Sequence, residues 1–315
     1  MKQYNVGIVG ATGMVGQRFV SLLANHPWFN VVLLSASANS AGKTYRDAVA
    51  GRWAMPTPLP EKFADMIVKD AADIEAAKHL DFVFCAISLD KAQTKALEEA
   101  YARAEIPVVS NNSAHRATPD VPMLIPEVNA DHVNIIASQR RRLCTKRGFI
   151  AVKPNCSIQS YVPALTPLLD FGVEQVVACT YQAISGAGKT FDTWPEMADN
   201  VIPFISGEEQ KSEQEPLKVW GRIEGDVIVP TEKPVITTQC IRVPVTDGHL
   251  AATFVKFAKK PSIETIKQRW AEFKGVPQQL NLPSAPKQFL NYFEEDNRPQ
   301  TRLDRDLENG MAVSI

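Results

Sequence analysis

The stretch Val6-Gly7-Ile8-Val9-Gly10-Ala11-Thr12-Gly13-Met14-Val15-Gly16 joins a short apolar run to a helical pattern that continues to Asn25. Glycines at 10, 13 and 16 let a backbone turn tightly and approach an anion, and the helix start that follows offers free N–H groups and a partial positive charge. A glycine pattern alone is a weak signal, but a strand before it and a helix after it is the context that dinucleotide binding requires. Gly10, Thr12, Gly13, Met14, Val15 and Gly16 are therefore candidate cofactor-binding residues.

Reading outward from this loop, the first 140 residues alternate apolar runs with helical patterns. Candidate strands are Asn5–Val9, Val31–Ser35, Met66–Val68, Phe82–Ala86, Pro107–Ser110 and Asn134–Ala137, with helices at 16–25 and 91–103. Such alternation predicts an α/β fold with a doubly wound, mostly parallel sheet. The polar, basic stretch Gln139–Gly148 reads as a boundary, giving a dinucleotide-binding domain over 1–148 and a second domain over 149–315. There, a helix pattern at Ile158–Leu169 precedes strands Val176–Ile184, Val235–Val245 and Leu250–Phe257; the last two are separated by Thr246-Asp247-Gly248, which has turn chemistry. A helix at Ile263–Phe273 stops at Gly275. This order predicts an α+β catalytic domain with a mixed or antiparallel sheet.

The 315 residues suit two domains, and 45% hydrophobic with 22% charged residues is ordinary for a globular chain. Thirty-four Lys and Arg against 35 Asp and Glu leave a net charge of −1, so no bulk basic excess points to nucleic acid. Small anions remain compatible partners, because local charge differs from the total. No apolar run reaches membrane-spanning length, and Met1-Lys2-Gln3-Tyr4-Asn5-Val6 enters a strand pattern without signal-peptide design. Five cysteines, at 85, 144, 156, 179 and 240, include no CxxC pair and support neither a disulfide framework nor a metal site. A reducing cytoplasm is the expected home.

The segment after the second strand bears on the cofactor. A carboxylate there would hold the ribose 2′-hydroxyl of NAD. The chain instead reads Ser35-Ala36-Ser37-Ala38-Asn39-Ser40-Ala41-Gly42-Lys43. Ser35, Ser37, Ser40 and Lys43 suit a 2′-phosphate, hence NADP, although a plain serine-rich loop has the same composition. Cys156, in Lys153-Pro154-Asn155-Cys156-Ser157, sits directly before a helix pattern, whose positive end favours a thiolate. Cys85 and Cys179 lie in apolar strand patterns and read as core. His249 follows the Thr246–Gly248 turn and Arg242 precedes it, so both can reach one pocket.

With Tyr181-Gln182-Ala183-Ile184-Ser185-Gly186-Ala187-Gly188, Arg242-Val243-Pro244-Val245-Thr246-Asp247-Gly248-His249, Ser110-Asn111-Asn112-Ser113-Ala114-His115-Arg116 and Asn200-Val201-Ile202-Pro203-Phe204, these pieces occur in an order that resembles aspartate-semialdehyde dehydrogenase over nearly the whole chain. The resemblance implies that Cys156 is the nucleophile, His249 the acid/base and Gln182 the residue that orients substrate. It implies that Arg242 grips a substrate carboxylate, Glu215 meets the substrate amino group, and Lys218 and Arg116 bind phosphate. Ser185 and Gly186 join the cofactor residues on the same ground. The implied partners are a small-molecule substrate, phosphate and further copies of the chain, as a dimer or tetramer. Glu215 and Lys218 have one-face helical spacing, which a solvated charge pair also has. Pro216 is expected at the first helical position, with Glu215 just outside.

The implied reaction is reversible reductive dephosphorylation of aspartyl β-phosphate through a cysteine thioester. An acyl reductase of the malonyl-CoA or N-acetylglutamyl-phosphate type would keep the cysteine and histidine and change the substrate clamp. A non-catalytic NADP-binding sensor would bind cofactor without thiol reactivity. In the family, the strand begun at Met311–Ile315 continues into a Ser-His-Asn-type motif and a glycine- and alanine-rich helix, which are absent here. The sequence is accordingly expected to be shortened at its C-terminus. The absent carboxylate after the second strand sets a first prediction: kcat/KM with NADP exceeds that with NAD, and equal values or a preference for NAD contradict it.

Overall fold

The computed structural model describes residues 3–315; Met1 and Lys2, the first residues of the expected leaderless start, lie outside them. The chain forms two compact units. Among the described residues, the first comprises those up to 123, with 133–153 and 225–228, and the second 124–132, 154–224 and 229–315.

The first unit is built on six parallel strands: β1 (Tyr4–Val9), β2 (Phe29–Ala36), β3 (Lys69–Asp70), β4 (Phe82–Cys85), β5 (Val108–Ser110) and β6 (Ile150–Val152). Their order is β3-β2-β1-β4-β5-β6. The direction of winding reverses at β1, so the loop leaving its carboxyl end lies at the switch point where open α/β sheets bind ligands. Val6, Ile8, Val31 and Leu34 are buried among Val20, Tyr45, Phe63 and Val68, as a sheet covered by helices requires.

The three glycines of the loop do different work. Gly10 has φ +89°, and a Cβ there would lie 2.6 Å from the backbone of Ala86 and Ile87. At Gly16, a Cβ would lie 2.1 Å from the Gly10 carbonyl oxygen, so this glycine lets helix α1 (Met14–Leu23) pack on the turn. Gly13 is the N-cap residue of α1, and a Cβ there meets nothing closer than 3.7 Å. The protein therefore does not need glycine at 13 for its own packing. The space left there is open to an anion resting on the first-turn N–H groups.

Helix α2 (Lys91–Arg103) has the expected bounds and is capped by the Asp90 carboxylate, which accepts the Gln93 N–H. Elsewhere the pattern misled. Asn134–Ala137, expected as a strand, is helical: a 3-10 stretch (Ala130–Ile135) runs into α3 (Ile136–Leu143). Ile135, Gln139 and Leu143, four residues apart, are its buried positions. The Gln139 amide donates to the carbonyls of Asp120 (3.0 Å) and Ile150 (2.8 Å), so a polar residue fills a core position. The basic stretch expected as a boundary lies within the first unit, and its arginines have partners: Arg142 donates to Asp120 at 2.5 and 2.9 Å, and Arg141 to Ser138. The strand expected at Met66–Val68 falls instead at Lys69–Asp70.

In the second unit, β7 (Val173–Gln182) is the centre of a three-stranded mixed sheet. It runs parallel to β8 (Val235–Arg242) and antiparallel to β9 (Leu250–Phe257). The two strands flanking the Thr246–Gly248 turn are therefore not a hairpin, because β7 lies between them. The expected helix at Ile158–Leu169 is broken into Ser157–Ser160, Val162–Leu165 and Thr166–Phe171 by Pro163 and Pro167, which lack the N–H a continuous helix needs. Helix α4 (Glu208–Val219) lies along the free edge of β8. Its Glu213 accepts the Thr238 N–H at 3.0 Å and its Glu209 the Cys240 N–H at 3.4 Å, while Ile202 exchanges backbone hydrogen bonds with Arg242. After α5 (Ile263–Glu272), a short parallel pair joins β10 (Leu290–Asn291) to β11 (Val313–Ser314).

The glycine geometry separates folding from binding. Gly16→Ala forces backbone apart and is expected to cost about 1–3 kcal/mol in urea or thermal unfolding. Gly13→Ala is expected to unfold within about 0.5 kcal/mol of the parent yet lose dinucleotide affinity several-fold by titration. Retained affinity in Gly13→Ala would refute this assignment.

Candidate active site

Strand register gathers the polar residues of the second unit. Arg242, the last residue of β8, pairs with Gln182, the last of β7, about 4.8 Å away across the sheet. Leu250 pairs with Tyr181 on the other side, which brings His249 level with Gln182. Gln182 and Arg242 both face the buried side.

His249 Nε2 lies 3.2 Å from Cys156 Sγ, and its Nδ1 accepts the Ala183 N–H at 3.1 Å. A ring nitrogen that accepts carries no proton, so the neutral imidazole holds its proton on Nε2, toward sulfur. Sulfur is thereby addressed as an acceptor, the role a thiolate fills. The same residue, Ala183, accepts a hydrogen bond from Arg242 Nη1 at 2.6 Å through its carbonyl. Burial pushes the Arg242 guanidinium below its usual range, opposed by nearby Cys156 and Glu208. Gly186 leaves room for both side chains: a Cβ there would lie 3.1 Å from Arg242 Nη1 and from His249 Cε1.

Cys156 caps not the expected continuous helix but a single 3-10 turn, Ser157–Ser160. Its position is fixed from both sides. Asn155 Oδ1 accepts the N–H (2.8 Å) and the hydroxyl (2.5 Å) of Ser157. Asn155 also donates its backbone N–H to Glu215 Oε2 at 2.5 Å. Glu215 thus holds the turn that bears Cys156, and both it and Lys218 are buried.

Contrary to expectation, Pro216 lies inside α4, with Glu215 helical beside it. Proline leaves the carbonyl four residues earlier, that of Ser212, without its helical donor. The Tyr161 hydroxyl donates to that carbonyl at 2.7 Å, which replaces the missing bond. Sequence reasoning missed Tyr161, Ala183 and Glu208. Glu208 Oε2 accepts from Asn155 Nδ2 (2.9 Å) and Gln182 Nε2 (3.1 Å). Only the first two positions of α4, acidic as helix starts prefer, carried a signal for it.

The remaining candidates lie elsewhere. Ser185 belongs to the 3-10 turn Ile184–Ala187 with Gly186. In the first unit, Ser37 and Lys43 are exposed on the turn after β2, whereas Ser35 is buried at the strand end. Ser40 is buried, and its hydroxyl accepts from Arg52 at 3.1 Å, a second cation beside this turn that the sequence did not flag. Arg116 lies after β5 and donates to the Asn111 carbonyl at 3.3 Å.

The chain is similar to known proteins along its length. Residues 5–136 match the semialdehyde dehydrogenase NAD binding domain, and residues 165–315 the semialdehyde dehydrogenase dimerisation domain. Aspartate-semialdehyde dehydrogenase of Methanothermobacter thermautotrophicus is 41% identical over 314 residues, spanning 99% of this chain and 88% of its own length. That of Schizosaccharomyces pombe is 42% identical over 316 residues, 98% and 87% respectively. The crystal structure of aspartate semialdehyde dehydrogenase with NADP from Candida albicans superposes with a TM-score of 0.88 at 36% identity, covering 99% of this chain and 88% of that one.

The contact of Gly186 with two of the polar side chains is testable. Gly186→Ala makes Arg242 and His249 give way by a few tenths of an ångström and is expected to lower kcat/KM about tenfold. A loss confined to NADP affinity, with kcat unchanged, would show that Gly186 serves the cofactor instead.

Proposed function

Because this chain belongs to the aspartate-semialdehyde dehydrogenase family, we propose that it reversibly converts aspartyl β-phosphate to aspartate semialdehyde, with Cys156 as the covalent nucleophile. The observation that carries this reading is the Cys156 Sγ–His249 Nε2 pair at 3.2 Å, with the imidazole held by Ala183. The first unit has what NADP binding needs: a first helical turn left open at Gly13 and a serine-bearing turn with Lys43 and Arg52 after β2. NADPH, when bound there, supplies the hydride.

In the biosynthetic direction, Cys156 Sγ attacks the acyl carbon, the carbon–oxygen bond to phosphate breaks, and a thioester remains on the enzyme. Phosphate departs with the bonding electron pair. Arg116 and Lys218 offset its charge. Once the thioester carbon has gained hydride, its oxygen carries negative charge, and His249 Nε2–H donates to it. The carbon–sulfur bond then breaks, the aldehyde leaves and Cys156 returns as thiolate. Arg242, anchored at one Nη by Ala183, grips the α-carboxylate with its remaining donors, and Gln182 orients the acyl group. Glu215 is proposed for the substrate amino group, in addition to holding the Asn155 N–H.

The chain forms a homo-oligomer, and a dimer is the form we propose. The outward face of the mixed sheet carries Val177, Cys179, Tyr181 and Phe254, with Phe254 76% exposed, a surface suited to a second copy. Among the described residues, no helix is long and apolar enough to cross a membrane.

Phosphate-dependent NADPH formation from aspartate semialdehyde is the test. The parent enzyme is expected to show it, and Cys156→Ala to lose turnover while binding NADP almost unchanged. Substantial turnover by Cys156→Ala, or activity with malonyl-CoA in place of aspartyl phosphate, overturns the proposal.

A further inference from the structure

One largely enclosed carboxylate in the second unit has no part in the chemistry above. Glu208 opens helix α4 directly after Gly207, whose φ of +72° turns the chain into the helix. Its side chain is 12% exposed. Oε1 accepts from Lys211 Nζ at 2.7 Å, one helical turn later. The other oxygen, Oε2, accepts from two side-chain amides, Asn155 Nδ2 and Gln182 Nε2.

An ionised carboxylate only accepts hydrogen bonds. Both amides must therefore turn their NH2 groups toward Glu208, which dictates where their carbonyl oxygens go. Asn155 Oδ1 is delivered to Ser157, so hydrogen bonds run from Glu208 through Asn155 to Ser157 and bridge the residues on either side of Cys156. Gln182 Oε1 is left with the Thr180 hydroxyl at 3.5 Å and is free to accept from a bound molecule. We propose that Glu208 is a positioning residue for the reaction: one carboxylate oxygen sets both the Cys156 turn and the orientation of the Gln182 carboxamide.

Burying a carboxylate is unfavourable unless donors compensate. Here burial pushes the Glu208 pKa up, but the bonds from Lys211, Asn155 and Gln182 outweigh it and hold the group below its usual range. A glutamine at 208 cannot substitute. With its oxygen toward the two amides, its NH2 meets the Lys211 ammonium; reversed, its NH2 meets the two NH2 groups. Either orientation sets donor against donor.

The proposal rests on the reading of Cys156 and Gln182 above, and a double-mutant cycle tests the two separately. Turnover, KM and thermal unfolding are measured for E208Q, Q182M and E208Q/Q182M as full-length chains. E208Q is expected to lower kcat about 10- to 100-fold, the scale of a small misplacement of reacting groups. Its KM for NADP and unfolding midpoint should stay near the parent's. If Glu208 acts through Gln182, the E208Q penalty shrinks at least fivefold in the Q182M background. Full kcat in E208Q with a lowered kcat in Q182M overturns the Glu208 proposal alone, as do penalties that multiply. Full kcat in Q182M overturns the Gln182 reading as well. A loss in E208Q that tracks a fall in the unfolding midpoint marks Glu208 as merely structural and also overturns the proposal.

Discussion

The backbone of one residue, Ala183, sets the second unit's chemistry. Its N–H fixes the imidazole of His249 and its carbonyl fixes the guanidinium of Arg242, so the two side chains share one rigid reference. Ala183 is itself buried directly after the central strand, and the following turn is tied to the 243–249 segment by Ile184 N–H to Val245 and Ser185 N–H to Thr246. Strand register does the rest. A slip of one residue between β7 and β8 would send Gln182 or Arg242 to the opposite face, and neither the clamp nor the polar network would form.

Helix α4 shows how the carboxylates of a strongly charged segment can all be given hydrogen-bond partners within the fold. Each glutamate of the helix has a distinct partner: Glu208 two amides, Glu209 and Glu213 strand N–H groups, and Glu215 the backbone before Cys156. The helix even accommodates Pro216, because Tyr161 reaches the carbonyl that proline strands. The helix therefore couples the edge of the sheet to the turn bearing Cys156.

Much of the architecture was legible where the requirement is local. A positive φ at Gly10 and the crowding at Gly16 leave glycine as the only fit, so the loop and its flanking strand and helix can be read from composition. Cys156, His249, Gln182 and Arg242 were nameable from motif order, and the fold brings all four to one end of the mixed sheet. The failures came from tertiary context. The β-branched run before Ser138 looked like a strand until its burial at every fourth residue decided for helix. The turn chemistry at Thr246–Gly248 was legible, but nothing nearby in sequence announces that β7 inserts between its arms. Ala183 and Tyr161 act through a backbone and a hydroxyl on partners 66 and 51 residues away, and no local pattern marks them.

The closed edge of β8 has a consequence for how copies of this chain meet. A bare strand edge is a template that any extended segment can extend, and repeated extension makes an open-ended polymer. Here the outward N–H groups at Thr238, Cys240 and Arg242 are already occupied by Glu213, Glu209 and Ile202. The sheet cannot grow on that side. The apolar surface around Phe254 faces perpendicular to that edge, so what this side leaves open to a second copy is the face of the sheet and not the strand. Helix α4 thus closes this edge with Glu209 and Glu213, while its Glu208 and Glu215 hold the residue before Cys156.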